Sequence, residues 1–363
     1  MKSPIYKFLI MATVGGMLSL PAGCRGDGGE KEGSASSRDS ALQAATSLNA
    51  TLDPVERSRL REAAIGVLLE LSQSEDPQVR ANAIEGLLAA PARLEALLPA
   101  ALADPNAGVR TVAAMAVGKV KMAEMLEAVR PLTKDDSPFV KAAAIYAMRA
   151  CGDGIDPTPL GAMVTGDPSP RVRAHAAYLL GELGDKGTSS LLREAVQLDV
   201  PRANPAEMKV LSVQIAEALV KLGDDSQLHT LRAALYPATP DELDATVLAA
   251  QILGSLRDRG SEGQLRNLAS MRDPTGSLMP VEVRIAVAGA LGGMGAQVST
   301  AESEAALASG RETTRMQGAW ALGQIGGPAS LRALEEALGD PSDRLRVTVG
   351  TALLRILEGG PSR

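Results

Sequence analysis

The chain has 363 residues, of which 45% are hydrophobic and 2% aromatic, and its formal net charge is −6. Small and unbranched apolar side chains suit helices that pack closely against helices, and they give little material for strand pairing. An acidic chain of this kind argues against general nucleic-acid binding, which depends on neutralising phosphates. We therefore predict an all-α protein with a sizeable core.

The N-terminal segment has the pattern of an export signal. Lys2 and Lys7 flank the start, and an uncharged apolar run follows from Phe8 to Leu20. Small residues then lead to Cys24. The run is well short of the roughly 20 residues that a membrane-spanning helix needs. A charged start, an apolar run of this length and a small-residue exit predict a secretory signal peptide over residues 1–23.

The residues around Cys24 resemble the signal of bacterial lipoproteins. That resemblance implies cleavage before Cys24 and attachment of a diacylglyceryl group to its sulfur. Pro21 stands where the family usually has Leu, with Leu20 one place further out. Ordinary signal cleavage, or a free cysteine, is the alternative. Because Arg25 follows the cysteine instead of Asp, the resemblance favours an outer-membrane lipoprotein that faces the periplasm.

Residues 24–40 are rich in Gly, Ser and charged side chains, a composition that cannot offset the entropy lost on ordering. We predict a flexible tether there and a folded body over 41–363. Removing residues 1–23 takes away two lysines and no acids, which leaves 35 basic against 43 acidic residues and a charge of −8. If Cys24 is acylated, Cys151 has no disulfide partner, so packing must stabilise the body.

A repeat dominates the body. Turns such as Asp76-Pro77 and Asp104-Pro105 precede an apolar residue, a basic residue and a helix of small side chains. Glycine often recurs eight and eleven places after the basic residue. Two degenerate copies share this register. The anchor positions, spaced by 30 to 39 residues, are Arg80, Arg110, Lys141, Arg173, Ser212, Thr246, Arg284, Arg315 and Arg346.

Each part of the repeat has a physical reason. Asp caps a helix N-terminus and Pro suits the first turn. The residue before the anchor and those three, four and seven after it share one helical face, which forms the core stripe. Shorter apolar helices are predicted between the anchor helices, and neither kind can bury its stripe without the next repeat. The predicted outer helices include Arg93–Ala103, Ser189–Leu198, Ser226–Tyr236 and Ser330–Leu338.

Over roughly residues 53–358 this pattern resembles the HEAT-repeat family, in the short bacterial form also seen in phycobilin-lyase-type repeats. The resemblance implies a right-handed α-α superhelix of about nine to ten repeats, similar to armadillo solenoids. It also implies a ladder between turn acids and anchor bases. Carried over, the ladder would join Asp76, Asp104, Asp136, Asp167 and Asp340 to Arg80, Arg110, Lys141, Arg173 and Arg346. Longer loops are expected near 199–209 and 235–241, where the ladder is interrupted.

The same resemblance places the anchor helices on a concave face, whose side chains lie two, five and nine places after each anchor. Three of the five aromatic residues after the signal peptide occupy the fifth place. We predict a partner-binding groove with those aromatics as anchors, formed by Tyr146, His175, Tyr178, Gln214, Glu217, Gln251, Gln317 and Trp320. The alternative is that bulky residues only fill the trough of an Ala-rich solenoid. In the groove interpretation, Tyr178→Ala leaves the thermal melt unchanged.

Catalytic and metal sites find little support. His175 and His229 lie on separate helices, and neither belongs to an H-E-x-x-H motif or a His/Cys cluster. Iron-binding HEAT enzymes of the deoxyhypusine hydroxylase type depend on His-Glu pairs, whereas here Ala176 and Thr230 follow the histidines. Cys151 has the pattern of a small buried residue. We expect no enzyme activity, metal or cofactor.

Three functions remain open at this point. The first is a lipid-anchored scaffold or adaptor that binds a protein or peptide in the cell envelope through its concave face. The second is an enzyme or enzyme accessory similar to the bilin lyases, for which export makes the compartment wrong. The third is a structural spacer without a specific ligand.

Overall fold

The computed structural model describes residues 52–272 and 276–359. The predicted signal peptide, Cys24 and the tether lie outside these residues. The described part has nineteen α-helices and no strand beyond one isolated bridge between Arg272 and Leu278, so the all-α prediction is confirmed. In chain order the helices α1 to α19 are Pro54–Leu71, Pro77–Gly86, Pro91–Leu94, Leu98–Leu102, Ala107–Val120, Leu126–Val129, Pro138–Ala150, Thr158–Gly166, Pro170–Leu183, Ser189–Ala195, Pro205–Lys221, Leu228–Ala233, Leu243–Ser255, Glu262–Ser270, Val281–Gly293, Ala301–Leu307, Glu312–Ile325, Gly327–Ala337 and Asp343–Leu357.

The anchor-bearing helices form an inner row, and the remaining helices pack outside it. The inner helices are α2, α5, α7, α9, α11, α13, α15, α17 and α19. Local sequence explains their ends. The side chain of Asp76 accepts a hydrogen bond from the backbone of Gln78 at 2.9 Å, and Pro77 occupies the first turn. Left-handed residues such as Gly184 end several of the helices.

The inner row closes on itself. Each inner helix contacts the next one, and the last, α19, packs against both α1 and α2. The apolar core runs through this joint, where Leu60 and Leu68 of α1 and Val349 and Leu353 of α19 belong to one cluster of buried residues. The nine repeats therefore form a ring, in which α1 covers α19 and α2 as an outer helix.

Charged contacts on both rims of the ring hold this joint. We name the rim where the inner helices begin the entry rim and the rim where they end the exit rim. At the entry rim Arg346 pairs with Glu70 at 2.9 Å and Arg344 with Asp76 at 2.7 Å. At the exit rim Arg57 donates to the carbonyl of Leu357. Outer helices run antiparallel to inner ones, so α1 begins at the exit rim.

The predicted ladder exists in part, with different partners. Arg80 donates to Asp104 of the next repeat at 2.9 Å, and Arg315 likewise pairs with Asp340. Each of these arginines thus pairs with the aspartate in the turn before the next inner helix. Asp76, which lies before the first inner helix, pairs instead with Arg344 across the joint. These side chains fix the register between neighbouring repeats.

Three ladder assignments were wrong. Arg110 pairs with Asp135 at 2.9 Å, and the adjacent Asp136 is exposed. Arg173 donates to the carbonyl oxygen of Asp167 at 2.7 Å and not to a carboxylate. The closing residue Arg346 pairs with Glu70 and with Asp343 of its own first turn, not with a turn acid of the repeat pattern. Lys141 lies close enough to Asp135 to lower the pKa of that carboxyl, after the larger effect of Arg110.

A second ladder, which the sequence analysis missed, follows the exit rim. An arginine in an outer helix, or directly after one, pairs with the aspartate that follows the next inner helix. The pairs are Arg130–Asp153 at 3.1 Å, Arg193–Asp224 at 2.8 Å and Arg232–Asp258 at 2.6 Å. The recurring Gly-Asp after the inner helices, as in Gly223-Asp224, was the available signal.

Candidate functional site

The inner face of the ring divides into two parts. In the first five inner helices the side chain five places after the anchor is buried in every case; these are Glu85, Met115, Tyr146, Tyr178 and Glu217. We call this part the filled half. In the last four inner helices the same position holds Gln251, Gly289, Trp320 and Thr351, of which the three side chains are partly exposed. We call this part the accessible half.

A charged cluster packs around Tyr178 in the filled half. The ammonium group of Lys221 lies 4.5 Å from the centre of the Tyr178 ring, and that of Lys119 lies 5.8 Å from it. Lys221 also pairs with Glu182 and Glu217, each at 2.6 Å. Cations over an aromatic face are stabilised by the ring quadrupole, most strongly where water is excluded. The cluster is a set of interlocked structural contacts between neighbouring repeats.

Burial shifts the titration of these groups. Burial raises the pKa of Tyr178 well above its usual value, and the nearby carboxylates add to this. Burial also lowers the pKa of Lys119. For Lys221, burial alone would lower the pKa, but Glu217 and Glu182 raise it above the ordinary value. The charged form of Lys221 is therefore favoured, whereas burial disfavours the charged form of Lys119.

The other predicted groove residues of the filled half are also buried. His175 packs its ring against Phe139 with 5.4 Å between ring centroids, and Gln214 donates to Glu217. Together with Tyr146, Tyr178 and Glu217, these side chains present almost no surface to solvent. The first five repeats therefore offer little free surface for the predicted binding face, because the side chains there bury one another. There the alternative holds, and bulky residues fill the trough.

His175 gives the fold a specific pH dependence. Burial lowers its imidazole pKa from 6.5 to about 4, although the backbone of Phe139 hydrogen-bonds the ring and acts against this. The unfolded chain then binds the proton more tightly, so stability is fully present above about pH 6.5 and is lost as the pH falls toward 4. The maximal loss is about 3 kcal/mol. Between pH 7 and 5, the free energy of unfolding measured in urea should fall less steeply for His175→Leu than for the parent protein.

The matched control is His229→Gln, which removes an imidazole from an exposed position instead of a buried one. The interval stops at pH 5, since below it the paired carboxylates of the ladders begin to titrate as well. An equal slope in His175→Leu and the parent would contradict a buried neutral imidazole.

The accessible half is built over glycines. The indole of Trp320 lies against Gly289 on the neighbouring helix, so closely that a Cβ at that glycine would overlap the ring. Gln324 lies over Gly293 at ordinary contact distance, with its amide oxygen 3.6 Å from where a Cβ would stand. Gln317 is buried on the same helix as Trp320, and its side-chain oxygen has no hydrogen-bond partner among the described residues. Aromatic and amide groups that keep some free surface are suited to binding a polypeptide.

Gly289→Ala tests this arrangement. The added methyl group must displace the indole of Trp320, so we expect a loss of about 1–3 kcal/mol in unfolding free energy. Trp320 is the single tryptophan of the chain, and its emission should shift to longer wavelength as the ring moves toward water. The control is Gly66→Ala in α1, where nothing lies within 4 Å of the added carbon and a small gain in stability is expected. Unchanged emission in Gly289→Ala would contradict the contact.

Across residues 52–272 and 276–359, no group of three or more His, Cys, Asp or Glu side chains is arranged to hold a metal ion. Cys151 is a half-buried free thiol whose pKa is raised by burial, with its sulfur 3.7 Å from the carbonyl oxygen of Val117. None of the helices described is both long and apolar enough to cross a bilayer.

The geometry agrees with a comparison of the sequence against known families. The profile of HEAT repeats matches residues 94–159 and 277–354. These two segments of the chain are HEAT repeats. The predicted HEAT/armadillo-like superhelix is thereby confirmed, and in this protein its two ends meet.

Several solved structures are similar to this chain. Human deoxyhypusine hydroxylase in complex with glycerol is 19% identical over 84% of this chain and 99% of its own, with a TM-score of 0.35. The complex of CpcE and CpcF of phycocyanin lyase from Nostoc is 17% identical over 92% and 100%, with a TM-score of 0.28. Importin beta is 14% identical over 87% of this chain and 48% of its own, with a TM-score of 0.34. No curated protein matches the sequence.

Proposed function

We propose that this protein is a lipid-anchored scaffold of the bacterial cell envelope that binds a protein or peptide partner through the accessible half of its inner face. HEAT repeats commonly mediate protein interactions. The export signal and the Cys24 context in the sequence support an anchored, exported chain. The proposal is narrower than a groove along the whole ring, because the filled half is covered by its own side chains.

The observation that carries the proposal is the partial exposure of Trp320 and Gln251 on one wall of the ring. In the filled half every fifth-place side chain is buried. Tryptophan dominates binding hot spots, since a large rigid ring gives contact area at little entropic cost. The unsatisfied oxygen of Gln317 supports the same location, because a buried acceptor without a donor costs about 1–3 kcal/mol unless a ligand or water supplies one.

The test compares Trp320→Ala and Gln251→Ala with a control in the filled half, Tyr178→Phe. Native membranes are crosslinked and the adducts are identified by mass spectrometry. We expect both accessible-half variants to lose one defined adduct, with Gln251→Ala keeping the parent melting temperature, and Tyr178→Phe to keep that adduct. An adduct pattern that is the same in all four proteins would overturn the binding face and favour the spacer function.

The anchor has its own test. Cys24→Ser should move the protein from the membrane pellet to the soluble fraction of the envelope. If the variant still sediments with membranes, another contact holds the protein there and the lipid is not the anchor.

A further inference from the structure

Several inner helices are followed by a glycine whose backbone is left-handed. Eleven places after the anchor, with φ between 70° and 95°, these are Gly152, Gly184, Gly223, Gly295 and Gly326. Two inner helices have a long basic side chain at this place in the same conformation: Lys121, with φ 56°, and Arg257, with φ 55°. The left-handed backbone is strained for residues other than glycine. A side chain held there against strain is a candidate for a functional role.

Arg257 lies close to Arg355, the residue nine places after the last anchor. Arg355 is half-buried and belongs to the last turn of α19. Burial, and then the positive charge of Arg257, lower the pKa of Arg355 to about 10. An opposite charge favours the charged form of a neighbouring group. An anion that lies between the two guanidinium groups would therefore be stabilised by both.

The helix ends between these two arginines are packed together at glycines. A Cβ at Gly293 of α15 would stand 3.3 Å from the carbonyl oxygen of Gly254 in α13. A Cβ at Gly323 of α17 would stand 2.9 Å from the Cα of Ala352 in α19, and α15 and α17 contact each other. The C-terminal ends of these four helices thus form one arc at the exit rim. The two arginines lie at its opposite ends, and we call this arc the exit mouth.

Positive charge is in excess at the exit mouth. From the last turn of each of the four helices to the next helix, or to the end of the described chain at Gly359, the charged residues are Arg257, Asp258, Arg259, Arg355 and Glu358. Both acids pair with further bases, Asp258 with Arg232 and Glu358 with Arg61. The excess is local, because the chain as a whole has a formal net charge of −6.

A carboxylate on a polypeptide suits this arrangement. Guanidinium groups bind carboxylates through two parallel hydrogen bonds. The adjoining wall has the amide groups of Gln251 and Gln324 and the ring of Trp320, all partly exposed, and amides can donate to and accept from a peptide backbone. A nucleic acid fits less well, because its binding depends on neutralising many phosphates and the chain is acidic overall.

We propose that the exit mouth binds an acidic side chain of the partner polypeptide, with Arg257 and Arg355 on one carboxylate. This proposal rests on the proposed function, since it assigns the chemistry of the partner that the accessible half binds. Trp320 contributes the aromatic contact on the same wall, and the two arginines select for negative charge.

The probe is hexaglutamate with an acetylated N-terminus and an amidated C-terminus, so that every carboxylate is on a side chain. It is compared with hexaglutamine blocked in the same way. Isothermal titration calorimetry of the parent protein in detergent, at low ionic strength to limit screening, should detect binding of hexaglutamate alone. Arg257→Gly and Arg355→Gln should each weaken it about tenfold, the effect of losing one charge-assisted hydrogen bond.

Arg257→Gly also separates binding from folding. Glycine suits the left-handed backbone at this place, so the variant should melt at or above the temperature of the parent while it loses affinity. The control is Lys121→Gly, which makes the same backbone change after α5, in the filled half. It should keep the affinity of the parent for hexaglutamate.

Three outcomes would overturn the proposal. The first is that hexaglutamate does not bind at about 1 mM, or binds no more tightly than hexaglutamine. The second is that Lys121→Gly weakens binding as much as Arg257→Gly does. The third is that inorganic phosphate or an oligothymidylate displaces hexaglutamate at an equal or lower concentration, since that would make the exit mouth a phosphate site.

Crosslinking distinguishes this proposal from the proposed function. An adduct that Trp320→Ala loses and Arg355→Gln keeps would support the binding face and contradict an acidic partner. Binding of hexaglutamate that depends on Arg355, with adducts that Trp320→Ala leaves unchanged, would support the exit mouth and contradict the proposed function.

Discussion

Tyr178→Ala should lower the free energy of unfolding by about 4 kcal/mol, as expected for removing a large buried aromatic ring. The change leaves a cavity in the filled half and takes the ring face from the ammonium groups of Lys119 and Lys221. Lys119 has no hydrogen-bond acceptor among the described residues for its buried nitrogen, so losing the ring adds to the cost. Equilibrium unfolding in urea, followed by circular dichroism, measures the effect.

Tyr178→Phe separates the ring from its hydroxyl. It keeps the ring over which both lysines lie and removes only the hydrogen bond to Glu182, so a loss of about 1 kcal/mol is expected. An alanine variant as stable as the parent would show that Tyr178 is exposed in solution. That result would restore the groove interpretation, in which Tyr178→Ala leaves the melt unchanged.

Leu68→Ala should weaken the joint of the ring by about 3 kcal/mol. Leu68 is fully buried, and its methyl groups lie over Gly86 and Gly350, within 3.0 and 3.3 Å of where a Cβ on either glycine would stand. It therefore contacts both the first and the last inner helix. In the variant, amide hydrogen exchange should accelerate specifically in α1 and α19, because these helices become the free ends of an open solenoid.

Leu268→Ala is the matched control, since Leu268 is equally buried but lies in the outer helix α14, far from the joint. A similar loss of stability is expected there, without selective loss of protection in α1 and α19. If both variants lose protection in the same helices, the joint is not the element that Leu68 stabilises.

Local features of this fold were readable from the sequence because they depend on short-range chemistry. The Asp-Pro turns, the spacing of apolar residues and the glycines at helix ends predict the inner helices directly, as in α9 with its Gly184 cap. Sequence patterns could not predict which of the two acids, Asp135 or Asp136, pairs with Arg110. Adjacent acids differ only in where the backbone points them, and Arg110 selects the first.

Closure of the ring could not be predicted from local sequence patterns either. It depends on the rotation between neighbouring repeats, which is small, accumulates over nine steps and has no residue motif. The burial of the aromatic residues likewise depends on contacts between residues far apart in the sequence, such as those of Tyr178 with Lys119 and Lys221. Tyr146 and Tyr178 share a register position with Trp320, yet the former two are buried. Trp320 keeps partial exposure beside the side-chain-free Gly289.

A circular arrangement also restricts how such a chain can change its length. When a repeat is inserted into an open solenoid or deleted from it, only the position of the solenoid's end changes. Here every unit has two neighbours, and α19 must meet α1 and α2 at a fixed place. Inserting or deleting a unit would move that meeting point by about one helix spacing, roughly 9 Å. Variation among descendants of this chain should therefore occur in the lengths of the connections, while the number of units stays at nine.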